Sequence, residues 1–407
     1  MEKSQPRAPA DARERRLYVR LAAAGALAYC SYAMCRSPVL PLFARRLGAG
    51  PELVGLVVGV STITGVFLKF PAGALSDVIG RKTMLLSAAA VFAALPFAYL
   101  SVASVTTLIL IRLVHGSATA IFGPVASATV SDLAPANRRG SWLGWYAAAQ
   151  GAGQALGPVL AGSLIVAVSF DRAFLASGLL GCIALGLAAF WPRISTHAEP
   201  GGLWRRFTTG IREVARDRRV LTTSVAQAAQ FFLNGSLNAF LPLYGAEVIG
   251  LDPFRIGVIF GVQTVGTLVA RPWFGAVSDR AGRRPVIIAG LFVCGTAIAA
   301  LSFAVDFASL LAAALAYGIG LAVTTSATAA YVTDLSRRAR YGAAHGVFGT
   351  IYDVGDAAGP IAAGFLVGAL GYRGMFRVIA MVAVMLAVAF FWLSRHWIRP
   401  AASDASA

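Results

Sequence analysis

Two carboxylates, Asp353 and Asp356, stand three residues apart in a stretch from 341 to 370 that carries no other Asp, Glu, Lys or Arg. On a helix, positions i and i+3 share a face. Placing a charge inside a bilayer costs about 2.5–3.5 kcal/mol on insertion scales, so two acids on one buried face require a cationic partner or a proton. Both ionised they would repel each other, which suits one of them to hold a proton near neutral pH. At 1.5 Å per residue they lie roughly 18 and 22 Å from a helix start at 341. Arg36 and Arg112 fall at similar depth and are the candidate partners. We therefore expect Asp353, Asp356 and Arg112 to serve proton coupling; the bland alternative is a static buried ion pair.

A second set of residues has the types suited to holding a small molecule. Tyr29, Tyr32, Arg36, His115, Gln227, Gln230, Asn234 and Asn238 interrupt apolar segments and are expected to line a substrate cavity. Gln150, Gln154 and Gln263 are further polar positions, and any one of these residues alone could instead make an interhelical hydrogen bond. Lys69 and Arg271 are expected to snorkel to headgroups, and His345 to be structural. Cys30, Cys35, Cys182 and Cys294 have neither metal spacing nor a disulfide framework. No nucleophile–His–acid, metal or nucleotide motif is evident, so we expect no enzyme, no cofactor and no bound metal.

The elements that must position these groups are membrane helices. Of 407 residues 57% are hydrophobic and 13% charged, and mean hydropathy is +0.71. A soluble domain averages about 25% charged residues, so this chain has too few to cover a water-facing surface. Thr83–Ile111, Gly140–Phe170, Val220–Ala246, Pro285–Val305 and Phe307–Thr333 contain no Asp, Glu, Lys or Arg, and each exceeds the roughly 20 residues needed to span a bilayer. Twelve spans are expected, at about 18–43, 53–76, 83–101, 107–132, 141–169, 173–192, 220–245, 255–277, 285–304, 307–333, 341–370 and 374–396. The net charge of +17 does not indicate nucleic acid, because 25 of the 35 Lys and Arg fall at one end of these spans and six in the loops at the other. The positive-inside rule then predicts a multi-pass inner-membrane protein with both termini in the cytoplasm. Arg13, Arg15, Arg16 and Arg20 precede an apolar run too long for a signal-peptide core, so that run reads as the first span.

The spans are duplicated. Adding 202 carries Gly73–Lys82 (GALSDVIGRK) onto Gly275–Arg284 (GAVSDRAGRR), Asp132 onto Asp334, and Gly153, Gly157, Pro158 and Gly162 onto Gly355, Gly359, Pro360 and Gly364. One offset held across separate segments means two six-helix halves in parallel orientation, as among secondary transporters. The expected division is a tail at 1–17, a bundle at 18–192, a linker at 193–219, a second bundle at 220–396 and a tail at 397–407. Leu203, Trp204, Phe207, Ile211 and Val214 recur at helical spacing between arginines, so the linker is expected to lie on the cytoplasmic leaflet as an amphipathic helix.

These motifs resemble the major facilitator superfamily over nearly the whole chain. Gly73–Lys82 and its copy resemble the signature loop between spans 2 and 3 and between spans 8 and 9, although Val78 stands where an Arg commonly follows the Asp. Arg112-Leu-Val-His115-Gly116 is similar to the fourth-span motif associated with proton coupling, with His115 in place of a commoner Gln. Gly153–Gly162 resembles the fifth-span antiporter motif, with Ala161 for a usual Gly. The resemblance implies an all-α fold of two pseudo-symmetric six-helix bundles, the major facilitator fold, working by alternating access. It also implies a conformational latch made by Gly73, Asp77 and Arg81 and repeated by Gly275, Asp279 and Arg283. In that latch Asp77 faces the start of the eleventh span and Asp279 the start of the fifth, each stabilised by a helix N-terminus. Gly153, Gly157 and Pro158, with Gly355, Gly359 and Pro360, form small-residue stripes before a proline bend, which suit them to gating and not to substrate contact.

The function expected from residues and resemblance together is proton-driven export of small amphipathic molecules by a monomer, in the manner of twelve-helix drug:proton antiporters. The partners are then a small-molecule substrate, protons and the lipid bilayer. The alternatives are an uptake permease for an organic anion, siderophore or similar metabolite, favoured by Arg36 and Arg112, and a non-transporting sensor on the same fold. The first half carries no acid well inside its spans, which weighs against a cationic drug.

Overall fold

The computed structural model describes residues 12–135, 137–191, 217–335 and 341–395, and every regular element among them is helical. The first half comprises α1 (Ala12–Met34), α2 (Val39–Arg46), α3 (Pro51–Ile79), α4 (Arg81–Ala98), α5 (Val105–Leu133), α6 (Arg139–Ala167) and α7 (Phe170–Ala189). The second comprises α8 (Arg218–Leu243), α9 (Pro253–Ala281), α10 (Arg283–Leu301), α11 (Phe307–Leu335) and α12 (Tyr341–Ser394). The tails and most of the linker, with its expected amphipathic helix, lie outside the described residues.

Three boundaries differ from the sequence reading, each for a local reason. The first span is two helices, because Pro38 lacks an N–H and disfavours helical backbone at Ser37, so α1 ends at Met34 and α2 restarts at Val39. Helix α1 also begins at Ala12, which puts Arg13, Arg15 and Arg16 on a helix instead of a tail. The eleventh and twelfth spans run on as α12, separated only by Gly371 at φ 68°. The repeated "loops" are mostly helix as well: α3 continues to Ile79 and α9 to Ala281, and single glycines, Gly80 at φ 98° and Gly282 at φ 93°, make the turns. Positive φ at a helix end is the position where glycine carries no Cβ penalty.

Among the described residues eight helices are long and apolar enough to cross a membrane, and α12 is long enough for two passes. Helices α1, α6 and α8 are not among them, and each carries polar residues of the cavity described below. We call the end of the bundle with Gly80 and Gly282 the basic end. At the opposite end the turns are capped by side chains: Ser104, Ser169, Asp252 and Asp306 each accept the N–H three residues on.

The halves meet through glycines related by the repeat. A Cβ on Gly55 of α3 would overlap the Pro360 carbonyl of α12, and one on Gly257 of α9 would overlap the Pro158 carbonyl of α6. Gly162 and Gly364 lie equally close to Pro253 and Pro51. Farther along, Gly153 and Gly157 seat α6 on α1, and Gly355 and Gly359 seat α12 on α8. With nothing hydrophobic to gain between helices in lipid, such close backbone approach supplies the packing.

Apolar packing is uneven along the bundle. One cluster joins both halves at the opposite end, with Met34, Leu40 and Val54 against Leu237, Phe240 and Ala363. Toward the basic end the clusters stay within a half: Leu85, Phe92 and Phe122 in the first, Ile287, Leu291 and Phe390 in the second. Among the described residues, apolar packing thus seals the interface at one end only.

Candidate functional site

A cavity of about 430 Å³ lies between the halves, lined by residues from α1, α3, α6, α8, α9 and α12. That volume suits a drug-sized molecule. It contains two ion pairs, both between halves. Arg36, in the turn between α1 and α2, reaches Asp356 of α12 at 3.2 Å. Lys69 of α3 reaches Asp353 of α12 at 2.6 Å. The acids are 3% and 7% exposed, so both are desolvated and depend on these partners. Asp356 accepts two more hydrogen bonds, from Thr62 Oγ1 at 3.1 Å and from Asn234 Nδ2 at 3.3 Å. The turn after α1 and two helices, α3 and α8, thereby converge on one carboxylate, with donors from both halves.

Lys69 is the main departure from expectation. It turns into the cavity, where its ammonium also sits 5.2 Å from the centre of the Tyr352 ring, and it does not snorkel. Its repeat counterpart Arg271 lines the same cavity. Both lie ten residues inside their helix ends, about 15 Å at 1.5 Å per residue, too deep for a side chain to reach headgroups while facing the interior.

Arg112 is fully buried but meets neither acid. Its guanidinium donates to Ser61 Oγ at 2.6 Å and, more weakly, to Tyr32 and Tyr99 hydroxyls at 3.4 and 3.5 Å. His115 is fully buried beside it, its Nδ1 2.9 Å from the Tyr99 hydroxyl, and is not part of the cavity wall. Gln227 and Gln230 likewise face away, bonding Thr328 and Tyr317 of α11. Tyr29, Tyr32, Arg36, Asn234 and Asn238 do line the cavity, as do Gln150, Gln154 and Gln263. The polar stripe on α8 therefore divides: its two asparagines face the cavity and its two glutamines hold α11.

At the basic end Arg81 pairs with Asp132 at 2.6 Å, and Arg283 with Asp334 at 2.8 Å. Arg283 also bonds Asp279 at 2.5 Å and Ser278 at 3.1 Å. These repeat-related bonds tie each glycine turn to the end of α5 or α11 in its own half. Asp279 thus has its partner in its own turn and does not reach the start of α6 in this conformation. Gly73 and Asp77 fall within α3 and residues 341–346 begin α12, but the side chains of Asp77 and of 341–346, His345 included, lie outside what is described. Gly275, in α9, has open space around it.

Comparisons with known proteins agree with this architecture. The sequence profile of the Major Facilitator Superfamily matches residues 21–263 and 224–406, once for each half and together nearly the whole chain. The multidrug resistance protein MdtG of Dickeya zeae is 28% identical over 376 residues, covering 88% of this chain and 89% of that one. The class G tetracycline resistance protein of Vibrio anguillarum is 28% identical over 351 residues, covering 80% and 84%. Among solved structures, a bacterial homolog of the human lysosomal transporter Spinster, in an inward-facing and unoccupied conformation, superposes with a TM-score of 0.80 at 15% identity over 95% of this chain and 98% of that one. With a duplicated six-helix half, a cavity on the interface and a profile match to each half, the chain belongs to the major facilitator superfamily and is a multi-pass membrane transporter.

Proposed function

We propose that this transporter is a proton-coupled exporter of small amphipathic molecules, with its basic end in the cytoplasm of an inner membrane. The observation that carries the reading is the Arg36–Asp356 pair, 3.2 Å long and shared between the halves, with the acid buried and the cation half-buried. With both cavity acids ionised and paired, the bonds between halves lock the empty transporter. Protonation of Asp356 removes the charge that holds Arg36, and a substrate entering the cavity can displace the same bonds. Either event frees the halves to rock, while the empty unprotonated carrier stays still. A lock of this kind makes exchange obligatory and prevents leak. Asp353, paired to Lys69 one turn toward the basic end, would take the second protonation. Export is the direction suggested by the fifth-span glycine motif and by the resistance proteins among the relatives.

The test is transport in proteoliposomes with an imposed pH gradient, using a panel of fluorescent amphiphiles. Asp356→Asn should abolish gradient-driven accumulation and leave downhill exchange measurable. Accumulation that survives in Asp356→Asn would remove Asp356 from coupling. The rival reading, an uptake permease, draws on the surplus of cations in the cavity and predicts accumulation in the opposite direction under the same gradient.

A further inference from the structure

We infer that the cavity takes an amphipathic organic anion, whose charged group is held by Arg271. The inference rests on the substrate-cavity reading above and adds the substrate's charge to it. Five ionisable side chains of full charge line the cavity: Arg36, Lys69 and Arg271 against Asp353 and Asp356. Two of the cations are consumed by the two acids. Arg271 has no carboxylate partner among the described residues, so the empty site holds one cation more than it balances.

The repeat explains how this arises. The offset of 202 carries Lys69 onto Arg271, and carried backwards it brings Asp353 onto Gly151. One face of the interface thus has a cation and its acid, while the related face has kept the cation and replaced the acid by a hydrogen. The space where that acid's Cβ would stand is occupied by the end of the Leu268 side chain, so no protein group substitutes for the carboxylate. Arg271 is exposed at the cavity wall, where a ligand can reach it. A guanidinium left open in a substrate cavity offers a planar donor fork matched to a carboxylate.

The surroundings fit the rest of such a molecule. Gln263 of α9 also lines the cavity near Arg271. Across the cavity Phe231 and Tyr352 stack at 4.5 Å and provide an apolar wall with Leu268. A carboxylate on Arg271 and an aromatic body against this wall fit one molecule.

The experiment is equilibrium binding to purified protein in detergent at pH 7.5, read by thermal shift against empty micelles. The probes are 2-naphthoate, its neutral amide 2-naphthamide, and the cationic 2-naphthylmethylammonium. Wild type should bind naphthoate at least tenfold more tightly than either of the others. Arg271→Gln should bring naphthoate down to the naphthamide value, and Arg271→Lys should keep most of the preference. Gly151→Asp supplies the missing acid without removing Arg271, and should suppress naphthoate binding too. A ligand-free melting temperature close to that of the wild type in each variant shows that the fold is intact. Equal binding of the three probes by wild type, or a naphthoate preference that survives both Arg271→Gln and Gly151→Asp, would overturn the assignment. No gradient is present, so a negative result here leaves proton coupling standing. Loss of coupling control in proteoliposomes would leave the anion site standing.

Discussion

The two faces on which the halves of this transporter meet are related by one repeat and have opposite electrostatics. Where α1 and α3 meet α12, cations and acids are matched: Arg36 with Asp356 and Lys69 with Asp353. At the related positions on α8, α9 and α6 stand Asn238 with Gln154 and Arg271 with Gly151. The glycine contacts that set backbone spacing are the same on both faces. Scaffold and chemistry have therefore separated. Duplication kept the packing positions, which must be small on both sides, while the charged positions differ; under the coupling proposed above only one face has to carry a proton-sensitive bond.

The largest effect should come from breaking the charged face unevenly. Arg36→Gln leaves Asp356 buried without its cation, and loss of one partner from a buried pair costs about 3–5 kcal/mol. We expect a marked drop in the melting temperature of the purified protein at pH 8, largely recovered in the double variant Arg36→Gln/Asp356→Asn. The related substitutions Asn238→Ala and Gln154→Ala should each cost about 1 kcal/mol or less, as for interhelical hydrogen bonds between neutral groups in membranes. Equal losses on the two faces would end the comparison.

The scaffold should behave symmetrically. Gly55→Ala and Gly257→Ala each force a methyl group toward a proline carbonyl of the other half. Both should slow transport to a similar, intermediate degree, since overpacking typically costs about 1–3 kcal/mol. A severe defect in one and none in the other, measured as initial rates in proteoliposomes, would show that the faces differ in packing as well as charge.

The smallest effect is expected at the rim. Arg45 pairs with Glu247 at 2.8 Å across the sealed end, and these two residues are themselves related by the offset of 202. Both are partly exposed, and Tyr372 also donates to Glu247 at 2.8 Å. Exposed pairs contribute about 0–1 kcal/mol. Arg45→Ala should therefore shift melting temperature little, and the swap Arg45→Glu/Glu247→Arg should restore whatever is lost. A large loss in Arg45→Ala would make this rim, and not the buried acids, the principal lock.

Much of this architecture was legible in the sequence, because hydropathy, basic-residue asymmetry and one offset are properties of whole segments. Spans and duplication follow from them, and so does the location of Asp353 and Asp356 on an interior face. The break at Pro38 and the fusion at Gly371 were missed, since both turn on one residue's backbone inside an apolar run. Side-chain direction was the other gap. Residue type alone does not tell whether Gln227 and Gln230 face a cavity or α11, or that Arg112 is enclosed by hydroxyls. Lys69 and Arg271 could have been read: their depth was available by counting residues, and Lys69 is the repeat counterpart of an arginine while Asp353 is the counterpart of a glycine. The latch around Asp77 stays a proposal drawn from the family resemblance.

In the proposed mechanism ionised Asp356 locks the sealed end and a proton releases it. Its most direct test needs no substrate. Spin labels at the exposed, repeat-related positions Val168 and Leu370, with exposed Cys182 replaced, report the separation of the halves at that end. At pH 8 the wild type should show a single short distance, and at pH 5 it should gain a longer population. Asp356→Asn should show the longer population at both values. A wild-type distribution unchanged between pH 8 and pH 5, together with an Asp356→Asn protein that stays closed at both, would contradict the claim.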